Sequence, residues 1–438
     1  MKMVVIGLGY LGLTHAVAMT ELGHTVVGLE ADENKLKTLA EGKVPFYEPY
    51  LDDALEVALS SGRLTFQVGQ DANTEDGDIH WICVGTPQSE GSKSANLSYV
   101  ESAAKAAAQN LKEGATIVGK STVPVGTSAV LKKIIEENVK VGVTPRLAWN
   151  PEFLREGTAL QDSLKPDRIV VGVDDNVSRD LLQEAYRSIL DEGTPFIIAD
   201  LPTSELVKVS ANSFLAMKIS FINAMAEISE KSGADVVKLA EAIGYDERIG
   251  NKFLRSGIGF GGGCLPKDIR GFMVKAEELG VDSLVGLLNN VDTINIGRRQ
   301  KAVELAINAL GDDYASKKVT LLGATFKPDS DDIRDAPALA VALELHKLGV
   351  NVVVHDPKGL DNVNKVHPQL HTEGDLDKAF HDADLVMLLT EWKEYKDYNP
   401  LDAKRLVKNP VVIDGRNALD ARLWKTSGWQ VIALGRSL

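Results

Sequence analysis

The chain opens with the β-rich run Met-Lys-Met-Val-Val-Ile, turns through Gly7-Leu-Gly9-Tyr10-Leu11-Gly12, and continues with a helix-forming segment, Leu13 to Leu22. Strand, glycine turn and helix in that order admit few folds. In such a unit the first glycine makes the turn, the second lets the backbone approach a pyrophosphate, and the third packs helix against strand. A second strand-like run, His24 to Leu29, ends in Glu30, where an acidic side chain reaches ribose hydroxyls. Glycine turns also serve packing alone, but the acid at the next strand's end makes a dinucleotide-binding unit the expectation. Glu30 would repel a 2′-phosphate and no Arg follows it directly, which favours NAD over NADP; Lys35 is the feature that keeps the question open.

Alternation continues through Ile79–Val84, a helical 99–109, 115–120, a helical 129–136, 147–149 and 168–173. Such alternation predicts a largely parallel sheet in an α/β fold. Ligands of these sheets gather at the carboxyl ends of strands. Three polar loops fall there: Gly85-Thr86-Pro87, Ser121-Thr122-Val-Pro124, and Asn150-Pro-Glu152-Phe-Leu-Arg-Glu156. Turn chemistry and solvated charge are the ordinary explanations for each.

From Thr203, a suitable N-cap, the pattern becomes one helix to about Lys231, long enough to join two domains or to lie in a dimer interface. Lys208 and Asn212 are four apart and share one face of it. Alternation resumes at Lys317 with strands at 319–322, 352–355, 385–389 and 411–413 and a helix at 338–348, which predicts a second doubly wound region. Its first loop, Gly323-Ala-Thr-Phe-Lys-Pro-Asp329, lacks the GxGxxG pattern. Lys327, Arg334 and Arg416 follow strands there and could receive anionic groups; surface charge is the bland alternative.

Between these regions lies Gly257-Ile-Gly-Phe-Gly-Gly-Gly-Cys-Leu-Pro-Lys-Asp268. Five glycines in its first seven residues let the backbone take positive φ and come close to a ligand. Pro266 suits the first turn of a helix running to about Leu279, so Cys264 sits just ahead of a helix N-terminus. The helix dipole and Lys267 there favour the thiolate. Most lone cysteines are small buried hydrophobes; the Gly-Gly-Gly-Cys-x-x-Lys-Asp context makes Cys264 the candidate nucleophile. Cys83, in the apolar run Trp81-Ile-Cys-Val84, reads as core.

A chain of 438 residues supports two or three domains. The net charge of −14 disfavours nucleic acid, and no apolar run approaches membrane-spanning length. The first strand leaves no room for a signal peptide and two cysteines make no disulfide framework, so cytoplasm is the expected compartment. His367 and His371 have helical ligand spacing, but Pro368 between them and the lack of a third ligand predict no metal.

Together, Gly7–Gly12, Val84-Gly-Thr-Pro87, Lys120-Ser-Thr-Val-Pro124, Asn150-Pro-Glu-Phe-Leu-Arg-Glu-Gly157, Lys208 with Asn212, and the stretch around Cys264 resemble the UDP-glucose/GDP-mannose dehydrogenase family across the whole chain. The resemblance implies two Rossmann-like domains joined by a long central helix with a helical dimerisation region. It divides the chain into an NAD-binding part (1–200), a central helical part carrying the cysteine loop (201–312) and a nucleotide-sugar-binding part (313–438). It implies a homodimer or higher assembly, and a four-electron, NAD-dependent oxidation of a nucleotide sugar at C6. Arg248-Ile-Gly-Asn-Lys-Phe-Leu254 looks more like the UDP-glucose branch, whose product is UDP-glucuronate, than the GDP-mannose branch. UDP-N-acetylhexosamines stay open.

By matched position, Cys264 would capture the aldehyde as a thiohemiacetal and later a thioester, while Lys208 and Asn212 stabilise oxyanions or hold a water. Asp268 would assist proton transfer, Glu152 and Thr122 would position water and sugar, and the choice of base among the carboxylates stays open. The resemblance puts the glycine turn with Tyr10 and Leu11, Glu30, Lys35, Thr86, Thr122, Glu156, Lys267 and Arg334 at the cofactor. It puts Glu152, Phe153, Leu154, Lys208, Asn212, Arg248, Arg255, Phe260, Gly261, Lys327 and Arg416 at the sugar nucleotide, with Arg248 a candidate to serve a neighbouring subunit. Two departures stand out: Glu30 where Asp is usual, and Gly-Gly-Gly-Cys where Gly-Gly-Ser-Cys is common. A two-electron hydroxyacid dehydrogenase using Lys208 and Asn212, and a non-catalytic NAD-binding protein, are the competing readings.

Overall fold

The computed structural model describes residues 1–69, 74–89, 91–92 and 94–437. The chain divides into two units, Met1–Ala211 and Asn212–Leu438. Among the described residues, the first unit carries an eight-stranded sheet built from β1 (Lys2–Ile6), β2 (Thr25–Glu30), β3 (Leu64–Val68), β4 (Ile79–Ile82), β5 (Thr116–Gly119), β6 (Leu147–Trp149), β7 (Ile169–Gly172) and β8 (Phe196–Ala199). Their order is β3-β2-β1-β4-β5-β6-β7-β8, parallel except where β7 meets β6. Side chains of β1 alternate between two cores: Met3 and Val5 pack with Leu13, Val17 and Trp81, while Val4 and Ile6 pack with Ile82, Val100 and Leu131. Burial on both faces is why the strand reads as a continuous apolar run. The strand order reverses between β1 and β4, the switch point at which such sheets bind ligands. Gly12 is indispensable to the first turn, since a Cβ there would lie 1.8 Å from the Gly7 carbonyl oxygen.

One helix, Leu201–Ser232, runs across the division between the units. It begins before Thr203, whose amide donates to Asp200 Oδ1 at 2.7 Å. Asp200 therefore takes the capping part expected of Thr203, because a carboxylate suits the positive end of the helix better than a hydroxyl. Phe214, Phe221 and Ile228, seven apart, are each at least half exposed along one side of this spine helix.

The second unit holds the helix Leu265–Glu278, the 29-residue helix Asp282–Leu310, and a second sheet. Among the described residues that sheet has β9 (Lys318–Leu322), β10 (Asn351–His355), β11 (His371–Thr372), β12 (Leu385–Leu388), β13 (Val411–Asp414) and β14 (Gln430–Ala433). All pair in parallel, in the order β11-β10-β9-β12-β13-β14. At the end of β10, the place that Glu30 takes at the end of β2, Asp356 turns inward. Its carboxylate accepts from the Ala324, Thr325, Lys358 and Gly359 amides and from Trp392 Nε1. That acid holds the Gly323 loop closed, which agrees with the missing GxGxxG pattern. No described helix is long and apolar enough to cross a membrane.

Candidate active site

In the first unit the glycine turn leads from β1 into the helix Tyr10–Glu21. Glu30 ends β2 and accepts from the Leu8 amide of that turn at 3.2 Å and from Lys35 Nζ at 2.8 Å. Burial pushes its carboxyl up, but the Lys35 ammonium and the Ala31 and Asp32 amides outweigh burial and hold it below the ordinary value. Glu30 is thus an anion fixed beside the turn, and Lys35 already uses its charge on Glu30. The fit is to a ribose without a 2′-phosphate.

Tyr10 donates to Glu48, a buried carboxylate that also accepts from the Gly157 amide at 2.6 Å and the Ala159 amide at 2.7 Å. Glu48, which carries no sequence signature, ties the start of the Tyr10–Glu21 helix to the end of the 150–159 segment. The loops after β4 and β5 are stapled in turn: Thr86 Oγ1 donates to the Thr122 carbonyl at 2.9 Å and Ser121 Oγ to the Val84 carbonyl at 2.7 Å.

Glu152 turns back on its own loop, accepting from the Leu154 amide at 2.6 Å, and pairs with Lys208 Nζ at 2.7 Å. Both are largely buried, with side-chain exposures of 11% and 6%. The Phe153 ring lies 3.8 Å from the Arg168 guanidinium and 5.8 Å from Lys208 Nζ. Glu156 is half-buried. Cys83 packs in the core beyond β4, where burial pushes its thiol up to about 12 and leaves it inert.

In the second unit Cys264 is the N-cap of Leu265–Glu278 and is exposed, with Pro266 in the first turn. Asp268, one turn on, is buried and accepts from Asn212 Nδ2 at 2.7 Å and Lys267 Nζ at 3.0 Å. The glycine loop ahead of Cys264 is clamped from the 282–310 helix. Asn295 takes the Phe260 amide at 2.7 Å and gives to its carbonyl at 3.0 Å, and Arg299 Nη2 reaches the same carbonyl at 3.2 Å. Gly259 has φ +94, and a Cβ there would lie 2.4 Å from Asn295 Oδ1, so only glycine admits the clamp.

Phe260 itself packs among Ala216, Ile269, Met273, Leu288 and Val291. Gly261 is packed equally tightly, its Cβ position 2.3 Å from the Asp335 carbonyl. Arg416 Nη1 donates to the Gly259 carbonyl and its Nε to the Leu389 carbonyl, both at 2.7 Å. Arg334 lies against the loop, its guanidinium carbon 2.4 Å from where a Cβ on Gly263 would stand, and is held by Asp332. Lys327 is half-buried over the Phe326 ring. Arg248 and Arg255 are exposed, Arg248 bound to Asp246. Asn295, Arg299 and Asp335, which accepts from Arg270 and Arg299, carry this half yet have no sequence signature beyond polar residues on a long helix.

Three family models match the chain in succession: the NAD binding domain of the UDP-glucose/GDP-mannose dehydrogenase family over residues 1–190, its central domain over 202–296 and its UDP binding domain over 320–421. A UDP-glucose 6-dehydrogenase of Rhizobium meliloti is 40% identical over the full length of both chains. A UDP-glucose dehydrogenase structure from Pyrobaculum islandicum superposes with a TM-score of 0.91 at 35% identity, covering 100% of this chain and 98% of that one. A UDP-D-ManNAc dehydrogenase structure from Pyrococcus horikoshii superposes at 0.86 and 26% identity, covering 100% and 99%. An N-terminal NAD turn, a cysteine at a helix N-cap and a second parallel sheet, matched end to end at these identities, place the chain in the UDP-glucose/GDP-mannose dehydrogenase family.

Proposed function

We propose that the protein oxidises UDP-glucose at C6 to UDP-glucuronate in two successive two-electron steps. The observation that carries this reading is Cys264: an exposed thiol at a helix N-terminus, behind a clamped glycine loop and one turn from the buried Asp268. Bound NAD supplies a hydride acceptor at each oxidation. An aldehyde has no hydroxyl from which to expel a second hydride. Addition of the Cys264 thiolate restores a tetrahedral carbon bearing oxygen, and loss of hydride from that thiohemiacetal leaves a thioester. Water then cleaves the thioester, releasing the carboxylate and the thiol.

Lys208 and Asn212, one turn apart on the spine helix, stabilise the oxyanions. Asp268, bonded to Asn212, serves proton transfer, and Glu152, paired with Lys208, positions water. Glu30, Lys35, Thr86, Thr122, Glu156, Lys267 and Arg334 serve the cofactor; Phe153, Leu154, Arg248, Arg255, Phe260, Gly261, Lys327 and Arg416 serve the sugar nucleotide. The parts 1–200, 201–312 and 313–438 bind NAD, carry the cysteine and bind UDP. The exposed Phe214–Phe221–Ile228 stripe supports a homodimer, and a thiolate mechanism suits the reducing cytoplasm.

The test is the NADH formed per UDP-glucose consumed with NAD in excess. Two per sugar, falling to no completed turnover in Cys264→Ala, is the expected result. One per sugar with a released carbonyl product favours a two-electron dehydrogenase, and turnover confined to UDP-N-acetylmannosamine moves the substrate while keeping the chemistry.

A further inference from the structure

Behind Glu152 lies a charge to which the catalytic scheme gives no part. Lys120 ends the loop entry after β5, is 7% exposed, and among the described residues has no carboxylate partner. Its ammonium donates to Asn150 Oδ1 at 2.9 Å and reaches the Tyr186 hydroxyl at 3.4 Å, with the Trp81 ring 5.4 Å away. Asn150 is fixed completely by this arrangement. Its Oδ1 also accepts from the Tyr186 hydroxyl at 2.7 Å, and its Nδ2 donates to the Val170 carbonyl at 2.7 Å. Two residues on is Glu152, paired with Lys208. Lys120, Asn150, Tyr186, His15 and Glu152 line one small cavity of about 60 Å³. A buried ammonium without an anion is costly, and apolar residues would fill such a place more stably. Its retention calls for a use.

We propose that Lys120 is a positioning residue for the Glu152–Lys208 pair: its ammonium locks Asn150 at the end of β6, and its charge faces Glu152 across the shared cavity. The inference rests on the proposed dehydrogenase reading for its kinetic test. Charged and titratable groups face Lys120 from every side: His15 of the first helix, Cys83 beyond β4, Glu152 of the 150–157 loop, Tyr186, and Lys208 of the spine helix. Burial holds the Lys120 ammonium down to about 8, just above neutrality, and holds His15 neutral.

Lys120→Met is a clean probe, because Asn150 and Tyr186 still satisfy each other when the ammonium is gone. It should lower kcat about tenfold or more while leaving KM for NAD within about threefold. It should also abolish an alkaline limb near pH 8 in the wild-type kcat profile. Tyr186→Phe, which keeps the lysine but removes one of its partners, should move that limb to lower pH. Wild-type kcat and an unaltered limb in Lys120→Met, or an unmoved limb in Tyr186→Phe, would overturn the proposal. A thermal-unfolding double-mutant cycle between Lys120→Met and Glu152→Gln needs no turnover. Non-additive stabilities support the coupling and additive ones refute it, even if NADH stoichiometry shows the dehydrogenase reading itself to be wrong.

Discussion

Asn212 donates to the carboxylate of Asp268 at 2.7 Å, joining the spine helix to the helix that Cys264 caps. Asp268 is 5% exposed, and the Lys267 ammonium, 3.0 Å away, pairs its charge. Asp268→Asn keeps the shape and can still bond Asn212, but removes the proton acceptor. Its kcat should fall about 10²-fold, with KM for the sugar nucleotide nearly unchanged. Steady-state rates of NADH formation check this, and a variant with wild-type kcat would take Asp268 out of the proton path.

Glu30 and Lys35 answer each other at 2.8 Å, so the two can be separated by substitution. Glu30→Ala removes the ribose acceptor and frees the Lys35 ammonium. The variant should lose about tenfold in NAD affinity and gain in relative use of NADP. Fluorescence titration with each cofactor measures both, and an unchanged preference would show that Glu30 does not face the ribose.

Local chemistry decided how much of this was legible in advance. Glycines, strand patterns and the acid at the end of β2 lie within thirty residues of one another and speak for themselves. Pro266 marks the helix start that makes Cys264 an N-cap, as the structure has it. The supports of the site were illegible because they act over long separations. Glu48 bonds amides 109 and 111 residues away, and Asn295 clamps a glycine loop 35 residues behind it. The 282–310 helix escapes periodicity for a further reason: its buried side includes Asp292, Asn295 and Arg298, so the inward face does not read as apolar. The same polarity is what lets that helix hold backbone groups of the glycine loop.

Glu48 should prove both structural and kinetic. Glu48→Gln can satisfy fewer of the Tyr10 hydroxyl and the Gly157 and Ala159 amides at once. Leaving one buried donor unsatisfied costs about 1–3 kcal/mol. Denaturant unfolding should register that loss, and KM for NAD should rise as the turn around Tyr10 loosens. Glu48→Gln with unchanged stability and KM would make the bridge incidental.

Lys120 makes a prediction about stability whose sign runs against its effect on activity. Burial lowers its ammonium from 10.5 to about 8 in the folded chain. Below pH 8 the lysine is charged in both states and the fold bears the cost of burying it. Between about 8 and 10.5 the folded chain has released the proton while the unfolded chain still holds it, so the unfolded state binds more protons and stability rises with pH. Above 10.5 both states are neutral and the gain, about 3 kcal/mol, is complete. His15, held neutral, does not titrate in that window; Cys83 and Tyr186, whose acids burial raises in the folded chain, titrate there in the unfolded one, but they do so in both proteins, so subtracting Lys120→Met leaves the lysine's contribution. At pH 7 the variant should therefore be the more stable protein and the slower enzyme. Denaturant unfolding of both chains from pH 7 to 11 measures it. A constant difference across that range would mean that the ammonium is hydrated in solution.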